Sequence, residues 1–96
     1  MADFTIKREE DESGGRYVIH GEAGESEMTY SLAEGKTMII GHTYVPPKMR
    51  GKGLAEALVK RGIDDARAEG RKIMPLCSFV RTEFRRHPDW SDLLAG

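Results

Sequence analysis

The chain has one cysteine among its 96 residues, so it can close no internal disulfide, and nothing points to an oxidising compartment. It has no excess of either charge. With 15 basic and 16 acidic residues the formal net charge is -1, which argues against a polyanion binder and makes nucleic acid an unexpected partner. No apolar run approaches the roughly 18 residues of a membrane span. The opening Met1-Ala2-Asp3-Phe4 has neither the basic nor the apolar stretch of a signal peptide. Internal repeats and biased, linker-like segments are lacking as well. What is there suits a folded protein: 39% hydrophobic and 32% charged residues, too apolar for intrinsic disorder. The expectation is one cytoplasmic domain, 1–96, that buries roughly two-thirds of its unfolded surface in one modest core.

The first half reads as short strands broken by glycine and charge. Phe4-Thr5-Ile6-Lys7 alternates in polarity, and the acidic run Glu9-Glu10-Asp11-Glu12 followed by Ser13-Gly14-Gly15 predicts a turn. Arg16–His20 is rich in β-formers, and Gly21 to Gly24 closes it. Glu27–Leu32 alternates cleanly before a tight-turn signal at Glu34-Gly35-Lys36. Thr37–Val45 is the longest β-like run; its low charge predicts a central strand covered on both faces. By alternation, His42 shares a side with Met38, Ile40 and Tyr44.

The period then changes. From Gly51 to Glu69, Leu54, Leu58, Gly62 and Ala66 recur every fourth residue, with Ala55, Val59 and Ile63 beside them, as on the apolar face of a helix. Lys52, Glu56, Lys60, Asp64 and Arg67 take the other side, where Glu56 and Lys60 form a favourable four-residue pair. Gly70 is placed to stop the helix. Ile73–Cys77 predicts a short strand whose Pro75 suits an edge or a strand end, and Ser78–Arg86 a shorter helix ended by His87-Pro88. The expected fold class is α/β (α+β). It has a mixed sheet of about five strands, antiparallel hairpins first, then a right-handed βαβ unit from Thr37 to Cys77 and a short C-terminal helix.

The most informative stretch is Val45-Pro46-Pro47-Lys48-Met49-Arg50-Gly51-Lys52-Gly53-Leu54-Ala55, which joins the long strand to the long helix. A helix N-terminus offers up to four unpaired N–H groups and about half a positive charge. Gly51 and Gly53 let the backbone approach a bulky ligand, while Lys48, Arg50 and Lys52 add charge. Such a turn suits a phosphate or pyrophosphate; the same residues also read as a glycine-rich turn with a basic rim. Neither the GxxxxGK[ST] nor the GxGxxG spacing is present.

The pattern Arg50-x-x-Gly53-x-Ala55, between a strand and an amphipathic helix, resembles the acyl-CoA signature of the GNAT N-acetyltransferase superfamily. Pro75-Leu76-Cys77-Ser78-Phe79-Val80 and Phe84-Arg85-Arg86-His87-Pro88-Asp89-Trp90 resemble its compact single-domain, GCN5-related-like subfamily, and the likeness covers roughly residues 15 to 94. It implies a minimal GNAT fold, acetyl-CoA as cosubstrate and an unidentified amine as acceptor. It also implies that the backbone of Thr43, Tyr44 and Val45 pairs with the pantetheine arm. Arg50, Gly51, Lys52, Gly53, Leu54 and Ala55 would then wrap the pyrophosphate. Larger members wall the acceptor site with one or two helices between their first strands. Here about nine polar residues separate Ile6 from Tyr17, so an open acceptor side is expected.

Acetyl transfer to an amine needs a neutral amine, a polarised carbonyl and a stable leaving thiolate. Many superfamily members carry a tyrosine acid in the helix after the fifth strand; the helix here has Phe79 and Phe84 instead. Cys77, ahead of that helix, is a candidate acid or nucleophile, and equally a small buried hydrophobe. His42 is a candidate base or a structural histidine. Arg81, Arg85 and Arg86 form a basic stripe that reads as a solvated face or an anion contact. Three histidines and one cysteine without short ligand spacing predict no metal site. Two functions follow: a minimal N-acetyltransferase, or a non-catalytic module that binds CoA or acyl-CoA.

Overall fold

In the computed structural model, which describes residues 5–34 and 36–95, the first four strands run β1 (Ile6–Glu10), β2 (Gly14–Gly21), β3 (Gly24–Ala33) and β4 (Thr37–Tyr44). A 3₁₀ turn at Pro47–Met49 leads to α1 (Leu54–Glu69). Then come β5 (Lys72–Pro75), α2 (Ser78–Arg86) and a second 3₁₀ segment, Pro88–Leu93. One sheet holds all five strands in the order β1-β2-β3-β4-β5, antiparallel except for β4 and β5, which α1 connects in parallel. The mixed α+β architecture read from the sequence is therefore the one observed.

Both helices lie on one face of the sheet. Tyr17, Ile19, Met28, Met38 and Ile40 of the strands meet Leu58, Ile63 and Val80 of the helices there, each at most 2% exposed. The approach is close: a Cβ added at Gly62 would stand 2.9 Å from Met28 Cε, so glycine lets α1 settle on β3. Trp90 closes the lower end, edge-on to Phe84 and stacked on His87 with ring centroids 3.9 Å apart. Leu93 is buried with it, whereas Leu94 stays 40% exposed and joins the sheet by its backbone, bridging to Ile73.

Several expectations shift. The predicted turn at Glu9–Gly15 shrinks to Asp11–Ser13, because Glu9 and Glu10 continue β1 and Gly14 already opens β2. Their charges do not repel the strand, since Arg16 meets Glu9 at 2.7 Å and Arg71 and Arg8 each meet Glu10 at 2.8 Å. Phe4 and Gly35, assigned to the first strand and a turn, lie outside the described residues. β4 is not covered on both faces: Met38 and Ile40 are buried, but Gly41, His42 and Tyr44 are exposed on a face without helices. The helix starts at Leu54 instead of Gly51, and Lys60 pairs with Asp64 at 2.7 Å in place of Glu56. Gly70 ends it in a left-handed conformation, as expected.

Candidate functional site

β4 and β5 pair only from Thr37–Lys72 to Ile40–Pro75. There the amides of Leu76 and Cys77 both donate to the Ile40 carbonyl, at 3.0 Å, and the chain turns away into α2. Beyond Ile40 the edge of β4 that faced β5 has no strand partner, although β3 still pairs with its other edge as far as Tyr44. The opening between β4 and α2 is a cleft of about 340 Å³. Its walls are Thr43, Tyr44 and Val45 of β4 and its extension, Met49–Gly51 and Gly53–Glu56 around the start of α1, and Phe79 of α2.

A bulge decides which side chains face it. Thr29 pairs with His42 and Tyr30 with Ile40, which leaves Gly41 as an extra residue. Past that point the alternation reverses. Thr43 turns toward the helices, and its Oγ1 lies 3.6 Å from Cys77 Sγ. His42 and Tyr44 turn to the open face, exposed and stacked parallel with ring centroids 6.5 Å apart. The placement of His42 beside Met38 and Ile40 is thus corrected: His42 is across the strand from them and does not line the cleft.

The floor of the cleft is unsatisfied backbone. Gly51 and Gly53 both hold φ of +80°, a left-handed conformation that side chains resist, and no atom stands within 4 Å of where their Cβ would be. Among the described residues, no amide from Gly51 to Ala55 finds a backbone or side-chain acceptor, and Gly53 caps α1 without a side-chain bond. Five successive N–H groups are therefore without a protein acceptor at the positive end of a 16-residue helix. Lys48, Arg50 and Lys52 are exposed around them. Arg50 also braces the turn, for its Nε donates to the Val45 carbonyl at 3.1 Å. This chemistry fits a diphosphate, which brings acceptor oxygens and negative charge.

The chain that builds this cleft has relatives among known proteins. The model of the GCN5-related N-acetyltransferase family matches residues 16–93. The chain belongs to that family. Its fold is shared by a GCN5-like protein of Staphylococcus aureus solved in solution, with a TM-score of 0.74 at 24% identity; the match covers 100% of this chain and 92% of the other. Among the described residues of this family member no helix is long and apolar enough to cross a membrane, and no metal-binding cluster occurs.

The sequence-derived residues divide accordingly. The structure brings together Thr43, Tyr44, Val45, Arg50, Gly51, Gly53, Leu54 and Ala55 around the cleft. Lys52 is exposed and is not among the residues that line it. Cys77, half-buried at the N-cap of α2, sits behind Thr43. Burial pushes its thiol up, but the Val80 and Phe79 amides of α2 and the Thr43 hydroxyl and amide outweigh burial and hold it below the ordinary thiol range. Those α2 amides act without a full capping bond. Sequence reasoning missed Met49, Glu56 and Phe79 as wall residues. Phe79 follows Cys77 by two positions on a short helix, a signal that was readable; nothing in the local pattern singles out Met49.

Proposed function

We propose that this chain, acting as a single cytoplasmic domain over 1–96, binds acetyl-CoA and transfers its acetyl group to an amine. The observation that carries the reading is the junction of five unpaired amides at Gly51–Ala55 with a strand edge at Thr43–Tyr44 that no other strand pairs, along one cleft. A diphosphate on the amides leaves an amide-bearing arm free to pair with β4 as an added strand would. Acetyl-CoA, when bound, supplies a thioester whose C–S bond breaks as the amine nitrogen bonds to the carbonyl carbon. The chain's own contribution at that end is Cys77, whose S–H gives its proton to the departing thiolate and is restored by the proton that the amine nitrogen sheds as the amide forms. His42, turned to the open face, is not carried into this role. The short β1–β2 turn leaves room for an acceptor of either kind, a small molecule or a protein chain.

Calorimetry with CoA and with acetyl-CoA tests the binding step, and mass spectrometry after incubation with acetyl-CoA and an amine panel tests transfer. Micromolar binding that weakens as salt rises is expected. Arg50→Glu should remove it while the fold survives, and equal affinity in that variant would sink the site. Cys77→Ser should slow transfer by about 10²-fold with CoA affinity kept. Binding without transfer to any amine would favour the second reading, a CoA-binding module.

A further inference from the structure

We propose that Phe79 sets the length of the acyl chain that the cleft accepts and restricts it to short groups. The proposal rests on the CoA reading above. The cleft has two ends. The unpaired amides of Gly51–Ala55 follow the C-terminal end of β4, and Phe79 stands near the start of α2, where the chain turns away from Ile40 further back along β4. A thioester lying with its diphosphate on the amides and its arm along β4 brings its acyl group to the Phe79 end.

That end is a firm wall. Phe79 is half-buried and packs against the core cluster, and among the cleft residues it is the one that α2 supplies. The start of α2 is itself fixed: the Leu76 and Cys77 amides are held by Ile40, and Arg81 N–H donates to the Cys77 carbonyl at 3.0 Å. Behind Thr43 the space is filled by the Cys77 sulfur. At about 340 Å³ the cleft is near the lower end of the usual range for ligand sites, roughly 300–1,000 Å³. The arm already occupies part of that volume, so a longer acyl chain directed at this wall must displace the ring.

The test is calorimetry of CoA, acetyl-CoA and hexanoyl-CoA with the wild-type protein, Phe79→Leu and Phe79→Ala. CoA serves as the internal reference for each protein. Wild type should bind hexanoyl-CoA at least tenfold more weakly than acetyl-CoA. Phe79→Ala should erase that ratio or invert it, since each methylene then buried can add up to about fourfold. Phe79→Leu, which keeps an apolar side chain against the core, should fall between them and carries the test if the alanine variant does not fold. An unchanged ratio in the folded variants, or a wild type that binds both thioesters equally, overturns the role of Phe79 and leaves the CoA reading standing. A wild type that binds neither CoA nor either thioester overturns the CoA reading, and this inference with it.

Discussion

Helix α1 carries a charged cluster at each end, and the two are built on opposite principles. At its C-terminal end Arg8 reaches Asp65, Glu69, Glu10 and the Tyr30 hydroxyl, at 2.5 to 3.2 Å. Tyr17 Oη donates to Asp65 at 2.9 Å, Tyr30 Oη donates to Glu10 at 2.6 Å, and Arg71 meets Glu10 at 2.8 Å. Each of these groups has a partner. At its N-terminal end Lys48, Arg50 and Lys52 meet no carboxylate at ion-pair distance among the described residues, and five amides beside them have no acceptor. Compensated charge ties β1 to α1 and holds the fold. Uncompensated charge beside free amides has the chemistry that suits an anion.

The sharpest way to break this comparison is Gly53→Val. A branched side chain at φ +80° costs about 1–2 kcal/mol in backbone strain and projects into the space where an anion would lie. CoA affinity should fall more than a hundredfold, about 2.7 kcal/mol, while the protein still folds. Calorimetry and a thermal melt on the same sample decide it. An affinity loss no larger than the stability loss makes Gly53 a structural glycine and removes the distinction between the two ends.

Arg8→Ala probes the other end. It removes the cation shared by Glu10, Glu69 and the partly buried Asp65, which keeps only Arg61, and it takes away the donor to the Tyr30 hydroxyl, which should cost about 2 kcal/mol of stability. For a chain of this length that lowers Tm by roughly 10 °C. The CoA dissociation constant should stay within twofold, because no part of this cluster touches the cleft. A parallel loss of CoA affinity would show that the two ends are coupled.

The sequence makes the anion end legible for a physical reason: glycines, basic residues and a helix start are local, and each acts through its own backbone. The helix and the alternating strands are legible because their periods repeat. The compensated end is different. Arg8 and Glu69 lie 61 residues apart, and no local pattern pairs them, so Glu9 and Glu10 read as a turn when taken alone. The bulge at Gly41 is equally invisible. One extra residue inverts the alternation, so Thr43 faces the cysteine where the sequence points His42 inward. Pairing register is a property of two strands and cannot be read from one.

The smallest effect comes from titrating the compensated end. The Arg71 guanidinium, helped by the Tyr30 hydroxyl and opposed by burial, pulls the Glu10 carboxyl down to about 2. In the unfolded chain it returns to roughly 4.3, the ordinary glutamate value. As pH falls, the unfolded state therefore takes up the proton first. The stabilisation is fully present above about pH 4.5 and is lost as pH drops toward 2. The Glu10 side chain keeps 28% of its surface in water, so screening reduces the effect to about 1 kcal/mol. Urea unfolding at pH 6 and pH 3 should show that wild type loses about 1 kcal/mol more than Glu10→Gln over this interval. An exposed carboxylate such as Asp92, held low by Arg67 and remote from Glu10, titrates alike in both proteins and cancels from the difference. Equal losses in the two proteins would mean that the Arg71–Glu10 contact holds no charge-dependent stability, and that the two ends of α1 differ less than their geometry implies.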